Sequence, residues 1–130
     1  MAYTTINKHT DYFNTVLYTG NGATATAGTS ARSITGVGFQ PDLTWVKART
    51  NGGTAYMSNS LHDVVRGVPK TLESNSNAGQ NDVVTGYSSG GIGAFTSDGF
   101  NIYSGTTTSS NNYNGNNSTY VAWNWKAGGA

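Results

Sequence analysis

At 130 residues the chain can bury one hydrophobic core but not two, so a single domain is expected. Ser, Thr, Asn and Gly form half of it, Asp, Glu, Lys and Arg only 10%, and the net charge is +1. That balance excludes a charge-driven disordered chain, a helix-rich globule and a surface built to attract nucleic acid or an anionic membrane, and the absence of cysteine excludes disulfides and thiolate metal sites.

Residues 1–12 lack the apolar run of a signal peptide, and no later stretch is long enough to span a bilayer, so the chain is expected to be made as a soluble cytosolic protein. This first segment carries Tyr3, Ile6 and Tyr12 without a strand partner of its own. It reads as an N-terminal arm, the candidate interface with a neighbouring subunit or shell, ahead of a β-sandwich domain over 13–130. Short β-rich runs then recur between Gly, Asn, Ser and Thr clusters and predict strands over 13–19, 33–37, 43–49, 54–58, 71–74, 83–88, 92–96, 100–104 and 119–126, with no helical periodicity anywhere.

Gln40-Pro41-Asp42 reads as the bend that leads into the strand carrying Trp45. Asp98-Gly99 reads as the two-residue turn of a hairpin, because such turns favour positive φ. In the last strand Val121, Trp123 and Trp125 share one face and Tyr120, Ala122 and Asn124 the other. The bulk of the first set assigns it to the core and the strand to the middle of its sheet. Phe39, Trp45, Val46, Phe100, Ile102, Val121 and Trp123 are the expected core. The polar stretches 74–82 and 105–118 read as long loops or edge excursions outside the core, and 20–32 as a loop or weak edge strand of the kind that pairs with another chain.

General acid–base chemistry needs two titratable groups held together, whereas Asp11, Asp42, Asp63, Glu73, Asp82 and Asp98 are scattered and mostly at predicted turns. Neither His9 nor His62 accompanies a Gly-x-Ser-x-Gly serine, and His62 beside Asp63 reads as a solvated or capping residue. Gly36-Val37-Gly38 and Gly90-Gly91-Ile92-Gly93 lack the spacing and the following helix of a phosphate loop, and read as turn or bulge glycines. Calcium would need a dense set of Asp and Asn oxygens that the sequence does not contain, so no catalytic residue, cofactor or metal is expected. One surface candidate remains. Tyr113, Asn114, Asn116 and Asn117 place an aromatic ring among amides, the chemistry that stacks on and hydrogen-bonds a sugar, although solvated turn residues account for the same pattern. Asn116 and Asn117 also open Asn-x-Ser/Thr sequons, which matter only in a secretory host.

Five segments carry a family resemblance: Tyr18-Thr-Gly-Asn-Gly22, Ile34-Thr-Gly-Val-Gly-Phe-Gln-Pro-Asp-Leu-Thr-Trp-Val-Lys47, Asp63-Val-Val-Arg66-Gly67, Asp98-Gly-Phe100 and Tyr120-Val-Ala-Trp-Asn-Trp-Lys-Ala-Gly-Gly129. Together they resemble the concanavalin-A-like sandwich domains in structural proteins of tailed phages, particularly those of cyanobacteria and marine bacteria. The resemblance implies an all-β, antiparallel two-sheet jelly-roll sandwich, concanavalin-A/laminin-G-like, located on the outer surface of the virion and made in the host cytoplasm. No catalytic carboxylate pair carries over from the hydrolases that share this fold. Longer relatives continue beyond the Trp-Lys-Ala-Gly-Gly stretch, so this chain is expected to be a free-standing unit, without the trimerising shaft of a receptor-binding fibre.

The function expected from the resemblance is therefore a capsid decoration or cement protein. Its expected partner is the major capsid protein or another virion protein, and it is expected to self-associate, as a trimer in preference to a dimer. The alternative is a tail-associated or receptor-binding module that recognises host surface glycans; a free lectin or glycanase ranks last, and neither nucleic acid nor membrane is expected as a partner. Far-UV circular dichroism should show β structure without a helical component. The isolated protein should leave a polysaccharide panel unhydrolysed, and turnover lost on replacing Asp63, Glu73 or Asp98 would instead identify a catalytic site.

Overall fold

The computed structural model describes residues 8–24, 32–50, 59–68, 70–82, 90–103 and 113–127. Within them a 3-10 turn (His9–Asp11) precedes β1 (Phe13–Thr19), β2 (Arg32–Ile34), β3 (Leu43–Thr50), β4 (Ser60–Asp63), β5 (Lys70–Glu73), β6 (Asn81–Asp82), β7 (Gly91–Thr96), β8 (Gly99–Tyr103) and β9 (Thr119–Trp125). Two expected strands, 54–58 and 83–88, lie outside the described residues. β4 corrects the sequence reading, since His62 and Asp63 belong to a strand. The end of the 74–82 stretch, read as a loop or edge excursion, pairs at the sheet edge with β5 through Lys70↔Asp82 and Thr71↔Asn81.

The strands form two antiparallel sheets, one ordered β1-β9-β3-β4-β5-β6 and the other β2-β8-β7, packed as a sandwich. Ile34, Ile92, Phe100 and Ile102 from the smaller sheet meet Tyr18, Val46, Tyr120 and Ala122 from the larger one, with Tyr113 among them. The Tyr18 and Tyr120 rings stack at 4.8 Å between centroids. Aromatic and β-branched side chains alternating at period two suit that half-buried pleated surface.

The faces of the last strand are the reverse of the expectation. Tyr120, Ala122 and Asn124 point into the core, whereas Trp123 and Trp125 are only partly buried on the opposite face. β3 follows suit, with Thr44 and Val46 inside and Trp45 outside. Of the expected core, Phe39, Val46, Phe100, Ile102 and Val121 are buried, while Trp45 and Trp123 pack on the outer side of the sheet. The inner face tolerates Asn124 because its amide is fully engaged: Thr44 Oγ1 donates to its Oδ1 at 2.9 Å, and its Nδ2 donates to the Asn14 and Ala122 carbonyls at 3.2 and 3.1 Å.

Pro41 is buried in the bend before β3, as expected. The hairpin turn is displaced by one residue. Thr96 pairs with Gly99, so the loop is Ser97-Asp98 and Gly99 opens β8. Two constraints select this register. Gly99 has φ +149, and a Cβ there would lie 2.1 Å from the Ile34 carbonyl oxygen. The Asp98 carboxylate accepts the Gly36 and Gly38 amides at 3.0 and 2.7 Å, with both glycines at positive φ, so the loop Thr35–Phe39 is wound around the hairpin tip.

Phe100→Ala removes a fully buried ring and is expected to cost about 3–5 kcal/mol. Trp123→Ala should cost less, since solvent reaches that site. Urea midpoints of the two variants order the losses, and a larger loss for Trp123→Ala would contradict the face assignment.

Candidate functional site

Strand register places the outward side chains of the larger sheet in rows. Phe13, Trp125 and Leu43 share one row, Trp123, Trp45, Leu61 and Leu72 the next, and Leu17, Val121 and Lys47 the third. The rings touch: Phe13 and Trp125 are 5.1 Å apart between centroids, Trp45 and Trp123 5.4 Å. Antiparallel sheets ordinarily turn a polar face to water, and the smaller sheet does so with Ser33 hydrogen-bonded to Asn101 at 2.8 Å. The larger sheet instead presents tryptophan and leucine, with Leu17 62% exposed and Leu72 39%. This outward apolar surface is the candidate functional site, because exposed apolar patches are where soluble proteins commonly meet partners.

Each end of this face has a recess. One, of about 600 Å3, lies between Leu43, Trp125, Val64 and Val65, with Asp42 and Lys126 at its rim. Val65 is 91% exposed at the tip of a tight turn. That turn is rigid, because Asp63 Oδ1 accepts the Val65 and Arg66 amides at 3.0 and 2.8 Å, and Arg66 Nε donates to Oδ2 at 2.5 Å. Burial pushes the Asp63 carboxyl up, but the Arg66 amide and guanidinium and the Val65 amide outweigh it and hold the group below its ordinary range. At the opposite end a recess of about 420 Å3 is lined by Leu17, Tyr18, Thr19, Arg32, Arg49 and Thr119.

The residues singled out as a glycan site go elsewhere. Tyr113 and Asn114 are buried. Asn114 Oδ1 accepts the Asn21 amide at 3.1 Å, its Nδ2 donates to Asn21 Oδ1 at 2.6 Å and to the Ala23 carbonyl at 3.0 Å, and its carbonyl accepts the Gly22 amide at 2.9 Å. The amide is consumed in locking Gly20–Ala23 to the loop before β9. A Cβ on Gly20 would lie 2.1 Å from the Gly115 carbonyl oxygen, so only glycine permits this approach. Asn116 and Asn117 are exposed, Asn117 in a left-handed turn with φ 60. The described part of the stretch read as a long solvated loop over 105–118 is thus largely core. Of the expected interface residues, Tyr3 and Ile6 lie outside the described residues. Tyr12 is partly exposed, but its carbonyl accepts the Lys126 amide at 2.8 Å and continues the β1–β9 ladder, so it is not without a partner.

His62, expected to be solvated or capping, is fully buried. Its ring lies 3.3 Å from the Val68 carbonyl through Nδ1 and 2.9 Å from the Tyr113 hydroxyl through Nε2. A carbonyl only accepts, so Nδ1 carries the proton and the hydroxyl donates to Nε2. Tyr18 in turn donates its hydroxyl to the Tyr113 carbonyl at 3.0 Å. The His62–Tyr113–Tyr18 chain ties the loop before β9 to the core and engages both ring nitrogens of His62.

A family model described as a domain of unknown function, DUF7483, matches residues 8–130. The chain belongs to that family. The DUF7483 match takes in both recesses and the outward face. No curated protein and no solved structure matches the chain. Among the described residues no group of three His, Cys, Asp or Glu is placed to hold a metal ion, and no helix is long and apolar enough to cross a membrane. Sequence reasoning missed Leu17, Leu43, Leu61 and Leu72 as surface residues, although apolar groups on both faces of 120–125 hinted at a sheet covered on two sides.

Burial lowers the His62 pKa from 6.5 to about 4, with the Arg66 charge adding to the effect and the Val68 carbonyl opposing it. Between those values the unfolded chain takes up a proton that the folded ring refuses. The stability associated with His62 is therefore complete above pH 6.5, falls by on the order of 3 kcal/mol as pH drops to about 4, and is constant below. Asp63 and Asp98, both held below the ordinary carboxylate value of 3.8, add their losses only in stronger acid. Urea midpoints measured from pH 7.5 down to pH 4 check the window. A His62→Gln variant should lose the slope.

Proposed function

We propose that this DUF7483 domain is a structural protein of a tailed-phage particle, a decoration or cement protein that attaches to the outer head surface through the outward face of its larger sheet. The observation that carries this reading is the set of adjacent rows carrying Trp45, Trp123 and Trp125, with exposed Leu17 and Leu72, on the side of the sandwich that faces away from the core. Aromatic residues surrounded by small polar ones are the composition of protein–protein contact patches, whose affinity comes from a few desolvated anchors. The motif resemblance to phage sandwich domains supplies the particle, and the sandwich is read as a concanavalin-A/laminin-G-like jelly roll on the same ground. Near-neutral charge suits a subunit present at high copy number beside its own kind, and self-association as a trimer fits a three-fold position on the shell. The glycan-binding alternative has lost Tyr113 and Asn114 to the core.

Imaging of purified particles at a resolution that counts copies tests the reading. Density over the whole head is expected, and a handful of copies at the tail tip would sink it. Leu17→Asp with Leu72→Asp should leave the fold intact, since both side chains are exposed and surface substitutions change stability by about 0.5 kcal/mol or less. The doubly substituted protein should be absent from sedimented particles.

A further inference from the structure

The recess at the Leu17 end of the outward face differs from the rest of that face in charge. Its six lining residues include two arginines and no acid. Arg32 comes from the smaller sheet and Arg49 from the larger, so the recess lies where the two sheets meet. Arg32 is fixed: its guanidinium donates to the Thr19 carbonyl and lies 5.8 Å from the centre of the Tyr18 ring. Arg49 is the extra residue of a β-bulge, since Ala48 pairs with Tyr120 and Thr50 with Thr119. Bulges re-aim a side chain out of the regular pleat, and this one lines the recess. Neither arginine has a carboxylate partner among the described residues. Asp63 of β4 is paired with Arg66, and Asp42 before β3 accepts the Ala127 amide.

Two guanidinium groups lining one recess without a counter-charge repel each other, and an anion relieves the repulsion while accepting their forked N–H donors. The floor narrows the choice of anion. Leu17 lines the recess and is paired in register with Val121, so the cationic end continues directly into the apolar rows. An inorganic anion would satisfy the arginines and leave Leu17 wet. A polypeptide carrying an apolar side chain beside an Asp or Glu covers both.

We propose that this recess seats a carboxylate of the partner protein, with Arg32 and Arg49 as its counter-charges and Leu17 under the adjoining apolar side chain. The proposal rests on the attachment reading and names the chemistry of the partner's contact segment: apolar, with an acidic residue at one end.

The probe is a pair of acetylated, amidated peptides, one alternating Val with Glu and one alternating Val with Gln, titrated into the full chain and followed by nitrogen-15 NMR. The Glu peptide should shift the Arg32 and Arg49 Nε–H and Leu17 amide signals. It should bind about tenfold or more tightly than the Gln peptide at low salt, an advantage that added salt weakens. Arg49→Gln should abolish the preference while the amide spectrum away from the recess stays unchanged, and Arg32→Gln gives a second, independent removal of charge. Equal binding of the two peptides, or binding of neither, overturns the proposal. So does an equal response to inorganic phosphate, which would mark a bare anion site, or to galacturonate, which would mark an acidic glycan. Because free peptides are the probe, failure here leaves the particle-imaging result untouched, and failure there leaves this result standing.

Discussion

The pairing of the last strand with the first and the third is the constraint on which the rest of this structure depends, because β9 lies between β1 and β3 and makes a full-length ladder with each. Thr19 pairs with Thr119 and Phe13 with Trp125, so the larger sheet has no centre until the two ends of the chain have met. Contacts of such long range reward the chain only after most of the loop-closure entropy has been lost, which makes this a slow topology to assemble. Once formed, the same arrangement gives β9 two covered edges and two occupied faces. Tyr120 and Ala122 seal the core, and Trp123 and Trp125 build the outward rows with Trp45 and Phe13.

Around this ladder the molecule relies on polar locks more than its modest hydrophobic content would suggest. Asn114 clamps Gly20–Ala23, Asp98 clamps Gly36 and Gly38, and His62 holds Tyr113. The first two use glycine where a side chain would collide or where φ is positive, and the third is buried. The arrangement explains why so Gly- and Asn-rich a sequence folds compactly. Its amides are partners for loop backbone that has no ladder of its own.

The two outer faces of the sandwich are unequal. The smaller sheet hides little behind Ser33 and Asn101, while the larger exposes leucine and half-buries tryptophan over several strands. Three tryptophans in a domain of this size would ordinarily be core residues. Here none is among the fully buried side chains, and the core is filled instead by tyrosine, phenylalanine and isoleucine. The two ends of this surface differ: one is apolar with Val64 and Val65 raised on a rigid turn, the other cationic with Arg32 and Arg49.

Composition, turn chemistry and period-two runs were sufficient to read an all-β sandwich or barrel, the extent of β1, the start of β3 behind Pro41 and the hairpin of β7 and β8, because these depend on local backbone preference. The direction in which β9 and β3 point did not follow from them. A strand with large residues on both faces satisfies the alternation in either orientation, and only the register with Tyr18, Val16 and the smaller sheet decides that Tyr120 goes inward and Trp123 outward. The candidate site was hidden for the same reason, since Leu17, Leu43, Leu61 and Leu72 become one surface only when strands far apart in sequence lie side by side. The polar locks were equally illegible. Asn114 and Asn21, or Asp98 and Gly36, are ordinary turn residues until tertiary packing brings together partners 93 and 62 residues apart, and burial then changes an amide from a solvated group into a structural one.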